Sequence, residues 1–232
     1  MSSKNLAAEI FPDIFPPRKI RILGAGRFGR IAAERLKRRF PGSSLRVIDK
    51  AVDKVEAIRR ELQIYGEVAD SLQSIAGSAL SEDAWIIPAI PVHVGFEWVL
   101  HAMARIGEIR RLPVPEDVAS QVPNPVRSPS GALYSGFATF ICADNCSEPD
   151  EICTHTGKPR LGNLYEVLEK VCVSEFNIAV LRSWQLAPGV GGYPVRRLND
   201  LLEKIHARAG KHLIATSCRC HGVIDALEWR AG

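Results

Sequence analysis

The sequence predicts an α/β fold: a mostly parallel sheet in the N-terminal half, then a second α/β half that carries a cluster of cysteines. Three observations predict it. Residues 19–23 (KIRIL) form a short apolar run that passes through a glycine-rich turn into a segment with helical apolar spacing. Strand-like and helix-like segments then alternate along the chain, which implies crossover helices and parallel neighbours. Residues 112–129 hold five prolines and no long apolar run, so they read as the connection between the halves.

In the first half the strand over 19–23 leads to a helix through residue 40, where Pro41-Gly42 stops it. Residues 45–48 (LRVI) give a second strand with Asp49 at its C-terminal end, and residues 52–62 the next helix. A helix over 70–80, a strand over 84–90 (AWIIPAI) and a helix over 95–106 complete the half. Beyond the proline-rich stretch, strands are expected over 134–141, 176–181, 212–216 and 223–229, with helices over 163–173 and 195–209. The domain reading is therefore a lead over 1–18, a nucleotide-binding domain over 19–111, and a cysteine-cluster domain over 130–232.

Composition narrows the function classes. With 46% hydrophobic and 24% charged residues the chain is globular, and its net charge of +4 is mild. The densest basic run, 35–39 (RLKRR), falls where the first helix turns its polar face to water, so nucleic acid is not expected as a partner. No apolar stretch approaches the roughly 20 residues of a membrane helix, and the lead lacks the regions of a signal peptide. The chain is read as cytoplasmic, with a small-molecule substrate or a redox protein as partner and self-assembly left open.

The run RKIRILGAGRFGRIAAERL places Gly24-x-Gly26-x-x-Gly29 between a strand and a helix. Gly24 permits the tight turn, Gly26 lets backbone approach a pyrophosphate, and Gly29 lets helix and strand pack closely. Arg27 and Phe28 lie between them on the same turn. The helix N-terminus offers N–H groups and a positive dipole end to phosphates. Asp49, twenty residues after Gly29, can accept hydrogen bonds from the adenosine ribose and would repel a 2′-phosphate. NAD is the cofactor this favours, over NADP, although Lys50 lies beside the acid; FAD and S-adenosylmethionine use related turns.

With those residues in view, the segment resembles the NAD-binding fingerprint of the TrkA N-terminal and related Rossmann dehydrogenase families, carried by ILGAGRFGRIAAERL and VIDK. The resemblance covers residues 19 to about 100 and implies a Rossmann-like sheet. In TrkA-type proteins the implied role is regulatory nucleotide binding at a potassium transporter, and in the dehydrogenases it is hydride transfer. Nothing after Leu112 matches either pattern.

The second motif is cysteine-based. CADNCSEPDEICTHTG spaces Cys142, Cys146 and Cys153 as C-x3-C-x6-C, and SCRCHG supplies Cys218, Cys220 and His221. Both loops follow predicted parallel strands, so they are expected on one sheet edge. Clustered thiols without a secretory signal point to zinc or an iron–sulfur cluster. Cys142, Cys146 and Cys153 supply three ligands and Cys218 or Cys220 the fourth, with His155 and His221 in reserve. Small buried residues, or a regulatory thiol pair, are the plainer alternatives. Cys172 is read as a buried helix residue outside the site.

Three weaker candidates remain. His93, after the fourth strand, is a general acid or base near the nicotinamide end, or a locally satisfied histidine. Arg182 with Gly189, Gly191 and Gly192 can form an anion-binding loop, or a flexible connection. Glu97 and Trp98 read as a helix start and a core anchor, and His101, His206 and His212 have no evident pairing. Together these predict an NAD-binding redox protein with a cysteine-ligated centre; the alternatives are an NAD or redox sensor with structural zinc, and an S-adenosylmethionine-dependent transferase.

Overall fold

The computed structural model describes residues 14–76 and 80–232. Most of the N-terminal lead and part of the expected 70–80 helix lie outside them. The chain is a mixed α/β protein that divides into two compact units, one of residues 1–91 with 190–196 and one of 92–189 with 197–232.

The first unit alternates β1 (Lys19–Leu23), α1 (Arg27–Arg39), β2 (Ser44–Asp49), α2 (Val52–Leu62), β3 (Tyr65–Val68), α3 (Ser71–Ala76) and β4 (Ala84–Pro88). The strands lie in the order β3-β2-β1-β4, all parallel, and β10 (Val190–Pro194) pairs antiparallel with β4. In that 3-2-1-4 order the winding reverses between β1 and β4, the place at which open α/β sheets bind ligands beyond their carboxyl ends. Ile20, Ile22, Leu23, Val47, Ile48, Trp85, Ile86 and Ile87 are buried, as near-continuous apolar strands covered on both faces should be. Helix α1 buries Gly29, Ala32, Ala33 and Leu36, a single stripe at helical spacing. Its last turn carries Lys37, Arg38 and Arg39, charges that suit the negative end of the helix dipole.

The second unit is wound differently. It contains α4 (Val94–Met103), β5 (Gly107–Leu112), α5 (Glu116–Ala119), β6 (Val126–Arg127), β7 (Leu133–Gly136), α6 (Leu164–Leu168), β8 (Phe176–Arg182), β9 (Trp184–Ala187), all but the first two residues of α7 (Val195–His206), β11 (Gly210–Ser217) and β12 (His221–Ala231). Its sheet runs β6-β7-β12-β11-β8, with β5 also pairing with the eleven-residue β12. Only β8 and β11, joined through helix α7, pair in parallel among the described residues; the other pairs are antiparallel. The mostly parallel arrangement expected from alternation therefore holds for the first sheet, and the second is mixed. A three-residue turn, 218–220, joins β11 to β12, too short for the crossover that parallel strands need. Val114, Val118, Leu133, Leu164, Leu168, Leu213, Ala215, Ile224 and Ala226 form the core on one face of this sheet.

The proline-rich stretch is not the boundary between the units. The chain passes from one to the other between Pro91 and Val92, and Val114, Val118 and Val122 from that stretch belong to the second core. The strand expected over 134–141 ends at Gly136, and the helix expected over 163–173 is the short α6. No helix among the described residues is long and apolar enough to cross a membrane.

Candidate functional site

The three fingerprint glycines are not equivalent. Gly24 has φ +106°, and a Cβ there would stand 2.6 Å from the Ala89 carbonyl oxygen. At Gly29 a Cβ would lie 1.9 Å from the Gly24 oxygen, so the turn and α1 could not pack with a side chain present. Gly26 differs: its φ is −71°, and a Cβ would meet nothing within 4 Å. Packing explains Gly24 and Gly29 and leaves Gly26 unexplained. Gly26 is also the N-cap of α1, contributes no side-chain cap, and is followed by no acidic residue in the first turn. The end of the helix dipole thus meets no carboxylate of its own.

Asp49 closes this turn. Its Oδ2 accepts the Ala25 N–H at 2.6 Å and its Oδ1 the Ala51 N–H at 2.9 Å. Burial pushes the carboxyl pKa up, but those two N–H groups, with Lys54 and Lys50, outweigh it and hold the pKa below the usual aspartate value. A carboxylate has about four acceptor positions, so two remain for a ligand hydroxyl. Arg27 and Phe28 stand exposed beside the turn, with the guanidinium 5.5 Å from the ring centroid.

In the second unit the two cysteine loops are tied together by backbone and side-chain contacts. Arg219 N–H donates to Glu148 Oε1 at 2.8 Å, its guanidinium pairs with Asp150, and its carbonyl accepts the Leu164 N–H at 2.9 Å. The Cys220 carbonyl accepts the Phe137 N–H at 3.0 Å. Cys142 Sγ lies 3.6 Å from His221 Nε2, and Cys218 Sγ lies 4.0 Å from Nδ1 of the same ring. β7 and β11 both run antiparallel to β12, hence in one direction, and their carboxyl ends deliver both loops to one edge.

Burial pushes the thiols of Cys142, Cys218 and Cys220 up, reinforced for Cys142 by Cys146 and Cys153, for Cys218 by Glu148, and for Cys220, against Arg160, by Glu148, Cys142 and Cys146. Cys153 goes the other way, pulled down by the Thr156 hydroxyl and then by the Thr156 and His155 N–H groups. Burial lowers the His221 pKa and keeps the ring neutral. These are residues that suit a soft metal, whose charge offsets the penalty on buried thiolates. The His221 ring stands between the Cys142 and Cys218 sulfurs, and among the described residues no three His, Cys, Asp or Glu groups are placed to hold an ion. His155 is stacked on Phe140 at 4.1 Å. Cys172 lies beyond α6 and is exposed, not buried in a helix.

His93 belongs to the second unit, as the N-cap of α4. Its Nδ1 lies 2.9 Å from Asp225 Oδ2 and its Nε2 2.7 Å from Thr216 Oγ1, with its side chain 5% exposed. Phe96 stacks on the ring, and Gly95 makes room: a Cβ there would stand 3.1 Å from the Thr216 hydroxyl. The fold therefore fills both ring nitrogens, with partners 132 and 123 residues away that no local pattern could reveal.

Arg182, at the end of β8, lies over the rings of Tyr165 and Trp184, 4.3 and 5.2 Å from their centroids. The glycine loop expected beside it is mostly strand. Gly191 and Gly192 lie within β10, where a Cβ on Gly192 would stand 2.5 Å from the Ile86 oxygen, so close strand packing explains that glycine. Gly189 alone turns the chain, with φ +65°, and its N–H donates to the Cys146 carbonyl at 2.8 Å. Glu97 pairs with Arg111. His212 is buried with Nε2 2.7 Å from the Arg208 oxygen, and His206 meets Trp229 edge-on.

Comparison with known proteins finds a family described as "Uncharacterized protein, C-terminal domain", whose profile matches residues 95–230. The chain belongs to this family. The stretch shared with the family runs from the second residue of α4 to the penultimate residue of β12 and includes both cysteine loops and Arg182, whereas the glycine turn and Asp49 precede it. A relative from Archaeoglobus fulgidus, itself described as an uncharacterized protein, is 37% identical over 87 residues, which span 38% of this chain and 38% of that one. No solved structure matches.

Proposed function

We propose that this chain is an NAD-binding redox protein whose second unit carries a cysteine-ligated metal centre. The observation that carries the nucleotide half is Gly26. The other two fingerprint glycines are needed by the fold itself, while Gly26 keeps space open over the N-terminus of α1 where a bound group would approach. The likeness of residues 19–50 to TrkA N-terminal and dehydrogenase fingerprints supports the same assignment.

In this reading the N–H groups at the start of α1 receive the pyrophosphate, and Asp49 receives the adenosine ribose hydroxyls through its remaining acceptor positions. Its carboxylate, held ionised, disfavours a 2′-phosphate, so NAD binds in preference to NADP. Bound NAD would supply a hydride-accepting ring. Burial holds the Cys142 and Cys218 thiols above their ordinary pKa, and a bound cation would offset the charge of their thiolates.

One observation favours the second reading, an NAD or redox sensor with structural zinc. His93, the candidate acid or base, has both nitrogens engaged inside the second unit and presents neither to a substrate. Calorimetric titration of the full chain with NAD, NADH, NADP, FAD and S-adenosylmethionine tests the assignment. The expected result is binding of NAD or NADH with NADP at least about tenfold weaker, a difference of about 1.4 kcal/mol. Binding of S-adenosylmethionine alone moves the chain to the transferase class.

A further inference from the structure

Three side chains of the second unit form one hydrogen-bonded chain. His93, at the start of α4, stands between Asp225 of β12 and Thr216 of β11, with Nδ1 2.9 Å from Oδ2 and Nε2 2.7 Å from Oγ1. A carboxylate only accepts, so Nδ1 carries a proton, and in the neutral ring Nε2 accepts the Thr216 O–H. Among the described residues the Thr216 hydroxyl has no other partner. Ser217, the next residue, is buried and its hydroxyl is taken up by the Cys218 and His221 carbonyls.

The surroundings suit a reactive hydroxyl. The His93 side chain is 5% exposed, while Thr216 keeps part of its surface in solvent, so the base is shielded and the residue that bears the hydroxyl can be approached. Thr216 lies one residue before the carboxyl end of β11, where that strand runs parallel to β8, the end at which α/β sheets gather ligands. Gly95 brings the first turn of α4 against it: a Cβ there would stand 3.1 Å from Oγ1. The N–H groups of that turn have no intrahelical acceptor and no side-chain cap, and its acid, Glu97, is paired with Arg111.

We propose that Thr216, His93 and Asp225 are the nucleophile, the general base and the positioning carboxylate of a site in the second unit that hydrolyses carboxylic esters. While both ring nitrogens are engaged, His93 acts on a substrate only through the hydroxyl it holds. The hydroxyl proton passes to Nε2 as Oγ1 bonds to the acyl carbon. The bond from that carbon to the leaving oxygen breaks, and Nε2 returns the proton to the departing alcohol. Water repeats the sequence on the acyl-threonine, which releases the carboxylic acid and restores the hydroxyl. The first-turn N–H groups of α4 are the donors for the charge that develops on the acyl oxygen. The methyl on the Thr216 Cβ crowds Oγ1, which restricts the acyl group to a small one such as acetyl. Neither a nucleotide nor a metal enters the step.

The test incubates the full chain with p-nitrophenyl acetate, follows release of p-nitrophenol, and locates the transferred acetyl group by acid quenching and peptide mass mapping. The expected result is turnover with acetyl on Thr216. Thr216→Val keeps the shape of the side chain without its hydroxyl and lowers kcat/KM at least about a hundredfold, as does His93→Gln, while Thr216→Ser keeps hydrolysis. Asp225→Asn moves the midpoint of the pH–rate profile to lower pH, because the imidazolium loses its carboxylate; a purely structural tie would change only the height of that profile. A native chain with no acetyl on Thr216, or one that hydrolyses the ester no faster than folded Thr216→Val, overturns the assignment. If Thr216→Val does not fold, the acetyl map of the native chain decides.

Discussion

At the scale of single residues, the glycines at 24, 26 and 29 do different physical jobs. Gly29→Ala forces a methyl to 1.9 Å from the Gly24 oxygen, a backbone clash that no flexible side chain can relieve. Overpacking of that kind typically costs about 1–3 kcal/mol, so the variant is expected to unfold at lower denaturant with an unchanged slope. Denaturation indistinguishable from the native chain would mean that the turn is not built as described. Asp225 gives a second case. It is largely buried against His93, which also meets Thr216, so Asp225→Asn weakens a buried hydrogen bond and leaves the ring's tautomer undetermined. A loss of about 1–3 kcal/mol is expected. A fully exposed pair would show almost none.

At the scale of elements, the sequence is most informative where structure is local. β1, the turn, α1 and β2 follow from a short apolar run, three glycines and a 3.6-residue stripe, and their bounds agree with the expected ones within about two residues. The second sheet was harder to read because its pairing is long-range. β5 joins β12 across more than a hundred residues, and two residues of β6 register only against β7. Gly191-Gly192 reads as a loop in isolation, and only the nearby Ile86 oxygen shows why a strand carries glycine there. The cysteine loops were legible as a cluster from their spacing. Which sulfurs receive hydrogen bonds was not, because that depends on the turn each cysteine starts rather than on residue types. His93, Asp225 and Thr216 were illegible for the same reason as the sheet: they meet through three separate elements.

At the scale of the whole molecule, stability should respond to pH through His212. Burial lowers its pKa against the opposing hydrogen bond to the Arg208 carbonyl. In the unfolded chain the imidazole takes a proton near pH 6.5, while the folded chain resists it. The unfolded state then binds more protons, and stability falls as pH drops below about 6.5. His221 acts in the same direction. Asp49, with its pKa depressed, contributes stability above the usual carboxylate range that is lost only at lower pH, below about 3.9. Tm measured from pH 7.5 to 5 should decline, with a shallower decline in His212→Gln; equal slopes would contradict the assignment.

The central claim, that the first unit holds a dinucleotide over the N-terminus of α1, is tested most directly by Gly26→Val. A Cβ at position 26 meets nothing within 4 Å and φ is already negative, so the fold should tolerate the substitution with a change of about 1 kcal/mol. NAD titrated calorimetrically into both chains should bind the native protein and fail to bind the variant, while their denaturation midpoints stay close. Equal NAD affinity in the two chains, or no binding by the native one, would contradict the account.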